Sequence, residues 1–200
     1  AYGREVGTVL DWTEDVLKEL RGGIERRNGI PGEEPAAWKR DAAQIFGRIC
    51  ESLGRHEDDR SVEILSSHIR SLSRNNKKGS GNVSSLLIEP LAESLLSLGS
   101  QEAVEIVVMQ TGTYIAGGKN KIPRQRLHDA LAAFSEATLN QGAPAFSSTY
   151  DQSWRAWFKE YEKSFPKKLG KLSDPPEAPA YDPLAKKKRE REANQGGRAP

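Results

Sequence analysis

Apolar residues recur at helical spacing in separate stretches of this chain, divided by short runs of Gly, Pro, Asn and charged residues. Trp12, Val16, Leu17 and Leu20 predict a short helix over Asp11–Arg21, with Asp11 or Thr13 as N-cap and Gly22-Gly23 as its stop. A second helix is expected from about Pro35 to Leu53, with Trp38, Ala42, Ile45, Phe46, Ile49 and Leu53 as its apolar stripe. Asp58 and Asp59 open a third, carrying Val62, Ile64, Leu65, Ile69 and Leu72 and closed by a polar loop from Ser73 to Asn82. A fourth, near Asn82–Leu98, presents Leu86, Leu87, Leu91, Leu95 and Leu98 and holds Pro90, which predicts a bend at Ile88 to Glu89.

Ser100 is the expected cap of the fifth helix, in which Ala103, Val104, Val107, Val108, Thr111 and Ile115 point inward until Gly117-Gly118. This helix is nearly uncharged after Glu105, so it is the expected centre of the fold. Pro123 suits the first position of a sixth helix with Leu127, Ala130, Leu131, Phe134 and Thr138 buried. Asp151 is read as the cap of a last helix bearing Trp154, Trp157, Phe158 and Tyr161, which Pro166 closes. The chain loses its period after that point.

A phrase is written twice within this series. Leu53-Gly54 leads into Ser61-Val-Glu-Ile-Leu65, and Leu98-Gly99 leads into Ala103-Val-Glu-Ile-Val107, with the Leu-Gly pairs 45 residues apart. A single helical hairpin cannot bury its apolar face alone, so a period of this length implies hairpins leaning on one another in a row. The predicted class is all-α, with about seven helices. Residues 1–34 form an N-terminal helix and connection, 35–165 the repeat domain, and 166–200 a disordered Pro/Lys-rich tail with too few apolar groups to offset ordering entropy.

Hydrophobic residues make up 36% of the chain, low for one folded throughout, and the shortfall is concentrated after about Ser164. Thirty basic residues against 28 acidic ones give a net charge of +2, so attraction to polyanions has to be local. Cys50 is the one cysteine, which excludes an internal disulfide and a cysteine-based zinc site; among Ile45, Phe46, Ile49 and Leu53 it reads as a small buried hydrophobe. No apolar run is long enough to span a membrane. The chain begins at Ala1 without Met, as a processed or trimmed product does, and a removed secretory signal would place the protein outside the cytoplasm.

The paired helices over residues 36–139, the Leu-Gly before each acidic or short connection and the Ala/Ser-Val-Glu-Ile helix starts resemble HEAT-type repeats. Asp151, Trp154, Arg155, Trp157 and Phe158 resemble the Asp, gap, Trp-Arg-x-Trp and aromatic with which bacterial HEAT-like proteins close their arrays. Phe146-Ser-Ser-Thr149 stands where Leu-Thr-Gly is customary. The resemblance implies a short right-handed solenoid that acts as a binding scaffold, and it implies no reaction.

Chemistry is sparse. His56, His68 and His128 lack a second ligand type at metal spacing, so no metal or cofactor is expected. No Gly-x-Ser-x-Gly, His-Glu-x-x-His or phosphate-cradling loop occurs, and polar residues lack convergent spacing, so an enzyme is not expected. Asp151, Trp154, Trp157 and Phe158 read as a structural cap over the last open face, with a stacking platform as the rival reading. Lys119, Lys121, Arg124 and Arg126, with Lys77-Lys78, would form a basic loop ridge, and Tyr181, Leu184, Lys186, Lys187, Lys188 and Arg189 are the tail residues suited to hooking a partner. The expected function is a noncatalytic protein-interaction scaffold or accessory subunit of a larger complex. The alternatives are a nucleic-acid or ribonucleoprotein-associated protein acting through the basic loops and tail, and an accessory subunit of a membrane or electron-transfer assembly.

Overall fold

The computed structural model describes residues 2–26, 37–76, 81–114 and 121–169. These contain α1 (Tyr2–Arg26), α2 (Ala37–Gly54), α3 (Asp59–Asn76), α4 (Gly81–Leu98), α5 (Gln101–Thr111), α6 (Lys121–Leu139), α7 (Tyr150–Tyr161) and a 3-10 turn (Glu162–Ser164), with no strand among the described residues. The all-helical class and the helix order agree with the apolar pattern.

The helices form two rows. α2 lies against α4 and α4 against α6; α1 lies against α3, α3 against α5 and α5 against α7. In the pairs α1/α3 and α2/α4 the neighbours run in the same direction. Arg60 of α3 meets Asp11 and Glu14 of α1 while His68 meets Arg21, and Gly47 and Gly54 of α2 meet Pro90 and Ser97 of α4. Between the rows, a single core runs from Leu17 and Ile24 through Phe46, Leu65, Leu91 and Val107 to Leu131 and Trp154.

The doubled phrase has a structural equivalent. Asp58 accepts from the Ser61 N–H at 2.9 Å and Ser100 from the Ala103 N–H at 3.2 Å, so each copy carries a side-chain cap at the same offset ahead of its Val-Glu-Ile. Val62, Ile64, Val104 and Ile106 are buried while Glu63 and Glu105 are exposed. The two glycines of the phrase serve different ends. Gly99 takes a left-handed φ of 66° after α4, a conformation glycine adopts freely. Gly54 is the last residue of α2, where a Cβ would sit 2.5 Å from Ser97 Oγ and 2.8 Å from the Ser94 carbonyl oxygen.

Several boundaries and faces differ from expectation. α1 extends well beyond Asp11–Arg21 and runs through Gly22-Gly23, because fully buried Ile24 lies past the pair and rewards another turn against a cost of about 1 kcal/mol per glycine. Its inner face is Leu17 and Ile24, with Leu10 and Leu20 beside them, and Trp12 points to solvent. On α2 the buried positions are Lys39, Ala43, Phe46, Cys50 and Leu53, so Trp38 and Ile45 sit one position off the core and stay exposed. α3 continues to Asn76 and α4 starts at Gly81, which shortens the expected loop to 77–80, outside the described residues.

α4 continues as helix through Pro90, and Ile88, Ala92 and Leu96 join its leucines in the core, so α4 is as central as α5. α5 ends at Thr111 with Gly112 as cap, ahead of Gly117. α6 begins two residues before Pro123, which remains in the first turn where N–H groups have no helical partner; Thr138 is exposed and Ser135 is buried in its place. The N-cap position of α7 is Thr149, without a side-chain bond, and Asp151 lies in the first turn, where its charge favours the helix dipole. Ile115, Lys119 and the whole of 170–200 lie outside the described residues.

α7 breaks the alternation of the earlier helices. The loop 140–149 doubles back along α6, with Phe146 stacked on His128 and the Ser147 carbonyl accepting from Arg124, so that α7 starts near the beginning of α6. Trp154 then meets His128 and Trp157 meets Ser135, which makes α7 parallel to α6. Its start bonds the end of α5 through Tyr150, and the chain beyond it returns to the start of α5, where the Pro166 carbonyl accepts from the Gln101 N–H at 2.8 Å.

Candidate functional site

A groove of about 660 Å3 opens between α2 and α4, lined on one side by Gln44, Gly47, Arg48, Glu51 and Arg55 and on the other by Pro90, Glu93, Ser94 and Ser97. Both sets follow from helical spacing: each recurs every three to four residues and forms a stripe along one helix. The floor is set by small residues. A Cβ added to Gly47 would lie 3.4 Å from Pro90 Cβ, and at Gly54 the backbones already approach so closely that Ser97 Oγ donates to the Gly54 carbonyl at 3.0 Å. The long side chains on either side stand above this seam as walls.

The groove carries both signs of charge. Arg48, Glu51 and Arg55 line the α2 side, where Arg55 is paired to Glu51, and Glu93 lines the α4 side. Burial, and then the neighbouring Glu89 carboxylate, hold Glu93 above the usual carboxylate range. Glu89 is itself paired with Arg126 of α6, which ties α4 to α6 beside the groove. A polar, two-sign trough with a small-residue floor has the chemistry to receive an extended or helical peptide through hydrogen bonds and charge pairs. It offers no nucleophile paired with a base.

The expected cap residues do come together. Trp154 is fully buried, and Trp157 and Phe158 are nearly so; the Trp154 and Trp157 rings meet edge to face at 5.2 Å, and Phe165 packs on Trp157 and Phe134. Every indole in the cluster is satisfied: Trp154 Nε1 donates to His128 Nδ1 at 3.2 Å and Trp157 Nε1 to Ser135 Oγ at 3.1 Å. These contacts give the aromatics a packing role. Asp151 is half-buried at the start of the same helix.

The basic residues are dispersed. Arg124 stacks over Tyr150 at 4.4 Å and Phe146 at 5.2 Å while donating to the Ser147 carbonyl, so it clamps the 140–149 loop onto α6. Arg126 is engaged with Glu89, and Lys121 is exposed. Lys119 and the tail residues Tyr181, Leu184, Lys186, Lys187, Lys188 and Arg189 lie outside the described residues. Sequence reasoning missed the groove. The available signal was Gly47 and Gly54, seven residues apart on one helix, opposite Pro90, Ser94 and Ser97 at matching spacing on another.

His68 is fully buried between α1 and α3 with Phe46 edge-on at 5.9 Å, and Arg21 Nη1 lies 3.2 Å from its Nδ1. A guanidinium only donates, so Nδ1 accepts and the proton sits on Nε2. That nitrogen finds no hydrogen-bond partner among the described residues. Burial, and then the Arg21 charge, push the His68 pKa down to about 4. Cys50 is buried and its thiol is held in the neutral form by desolvation. Among the described residues no cluster of three His, Cys, Asp or Glu side chains could hold a metal ion, and no helix is long and apolar enough to cross a membrane. Comparison with known proteins returns no match: no family model, no curated protein and no solved structure is similar to this chain.

Proposed function

We propose that this protein is a noncatalytic interaction scaffold or accessory subunit, a short HEAT-like solenoid that receives a protein partner in the α2/α4 groove. The observation that carries this reading is the groove itself: a trough of about 660 Å3 with walls of both charge signs, built on two helices locked together at Gly54 and Ser97. Rigid helices present such side chains at little ordering cost, which is what a binding scaffold requires. The like-directed pairs α1/α3 and α2/α4 and the matched caps of α3 and α5 support the repeat reading. The reversed α7 fits a terminal unit, since end repeats of stacked arrays are atypical. Nucleic-acid binding through the basic loops has less support, because Arg124 and Arg126 are engaged with the fold's own aromatic rings and with Glu89.

A photo-activated cross-linking residue placed at Arg48 or at Glu93 tests this, with Glu105, exposed on α5 of the other row, as the control position. One protein adduct of the same size from positions 48 and 93, absent from 105, is the expected result in cells that make the protein. Adducts to nucleic acid, or adducts from 105 and not from the groove, overturn the reading.

A further inference from the structure

Residues 165–169 trace a path across the fold. Phe165 is buried against Trp157 and Phe134 beside α7, the Pro166 carbonyl then takes the first N–H of α5, and the Leu169 N–H reaches Asp59 Oδ1, at the first residue of α3, at 3.3 Å. Within five residues the chain has crossed from α7 to α5 to α3, and it binds helix starts whose leading N–H groups and acidic caps need partners. Leu169 is packed against the core as it arrives. The next member of that row is α1.

α1 is longer than its neighbour needs. The start of α3 is level with the middle of α1, since Arg60 Nη2 bonds Asp11 at 3.2 Å and Glu14 at 2.9 Å, so residues 2–10 project past the point where Leu169 ends its described course. On this stretch Val9 and Trp12, one turn apart, are 60% and 67% exposed. Acidic residues share this side of the helix: Asp15 and Glu19, three and seven positions beyond Trp12, are both exposed, while Asp11 and Glu14 turn toward Arg60 of α3. An apolar pair framed by net negative charge calls for a segment with a few apolar groups and an excess of cations.

We infer that the C-terminal segment 170–200 of this chain continues along the row and covers the Val9–Trp12 face of α1. Its composition is complementary: Tyr181, Pro183 and Leu184 supply the apolar groups, and Lys186, Lys187, Lys188 and Arg189 follow at once. Reach is ample. Tyr181 lies twelve residues beyond Leu169, enough for about 40 Å of extended chain, against about 10 Å from one helix axis to the next. The docking is intramolecular, so the short tether holds the segment at an effective concentration in the millimolar range and weak contacts suffice.

The test uses the full chain and the nuclear magnetic resonance signal of the Trp12 indole N–H, assigned with Trp12→Phe. The substitutions Tyr181→Ala and Leu184→Ala together, and separately Lys186, Lys187, Lys188 and Arg189 to Ser, lie outside α1–α7 and leave the helices intact. Both sets are expected to shift that signal and raise its hydrogen-exchange rate several-fold, with the native value unchanged over a tenfold range of protein concentration. A Trp12 signal indifferent to both sets overturns the inference. So does a signal that depends on protein concentration, which would make the cover a second copy of the chain.

Discussion

At the C-terminal end of the rows Trp154 is fully buried and Trp157 nearly so, and each indole N–H has a protein acceptor, whereas at the N-terminal end Trp12 is 67% exposed and Trp38 38%. Both ends face the same problem, because a row of helices leaves an apolar side without a next neighbour at each terminus. α7 solves it by reversing: parallel to α6 and antiparallel to α5, it lays its aromatic face over the last open groove. α1 and α2 carry rings of the same kind but place them one helical position off the core. The same residue type therefore seals one end and marks the other as a surface.

The largest expected effect separates the two tryptophans. Trp154→Ala leaves a ring-sized void and strips His128 Nδ1 of its donor, and is expected to cost about 3–5 kcal/mol in urea denaturation. Trp12→Ala in the same assay is expected to cost about 1 kcal/mol or less, as exposed positions do. Comparable losses from both would mean that the N-terminal end is sealed as tightly as the other, and the contrast would fall.

A second difference between the ends lies in their histidines. His128 accepts from Trp154 near the surface, while His68 is fully buried beside Arg21, between α1 and α3, with Nε2 unsatisfied among the described residues. Its folded pKa is lowered to about 4 from the ordinary 6.5, so the unfolded chain binds the proton first as the medium acidifies. Its contribution to stability is therefore complete above about pH 6.5 and is lost as pH falls toward 4, by roughly 3 kcal/mol over that window. His68→Gln keeps an acceptor for Arg21 without a titrating group. Its stability is expected to fall less than that of the native chain between pH 6.5 and 4.5, and equal slopes would show that His68 is not the group responsible. Because α1 supplies Arg21, hydrogen exchange should place the acid-sensitive opening at α1 before α6 and α7.

Much of this architecture was legible from apolar spacing. The inward residues of α3 and α5 follow from Val62, Ile64, Leu65, Val104 and Val107, because repeated caps at Asp58 and Ser100 fix where each helix starts and hence which face turns inward. α1 and α2 differ at Trp12, Trp38 and Ile45 because apolar spacing alone takes in residues at the edge of a stripe, one position away from the phase that is buried. Lys39 and Cys50 hold the buried positions on α2 by phase. The reversal of α7 was not legible, since it depends on Arg124, His128 and Phe146 drawing the 140–149 loop back along α6, contacts distant in sequence with no periodic signature. The groove was hidden for a related reason: it is defined by residues that are missing bulk, and absence of a side chain leaves little trace in a hydropathy pattern.

The glycines of α2 give the smallest effects and test how the exposed N-terminal end is fastened to the rest. Gly54→Ala puts a methyl 2.5 Å from Ser97 Oγ and 3.0 Å from Ser94 Cα; the serine hydroxyl can turn away, but the α4 backbone cannot, so a loss of about 1–3 kcal/mol is expected. Gly47→Ala meets only Pro90 Cβ at 3.4 Å, an ordinary contact, and it removes a glycine from a helix interior. That substitution is expected to stabilise by up to about 1 kcal/mol in the same denaturation assay. Opposite signs from two glycines seven residues apart would locate the fastening of α2 to α4 at the Gly54–Ser97 contact and leave the Gly47–Pro90 floor as open surface. If both variants are destabilised alike, the floor is part of the seam, and the groove is narrower in solution than its 660 Å3 indicates.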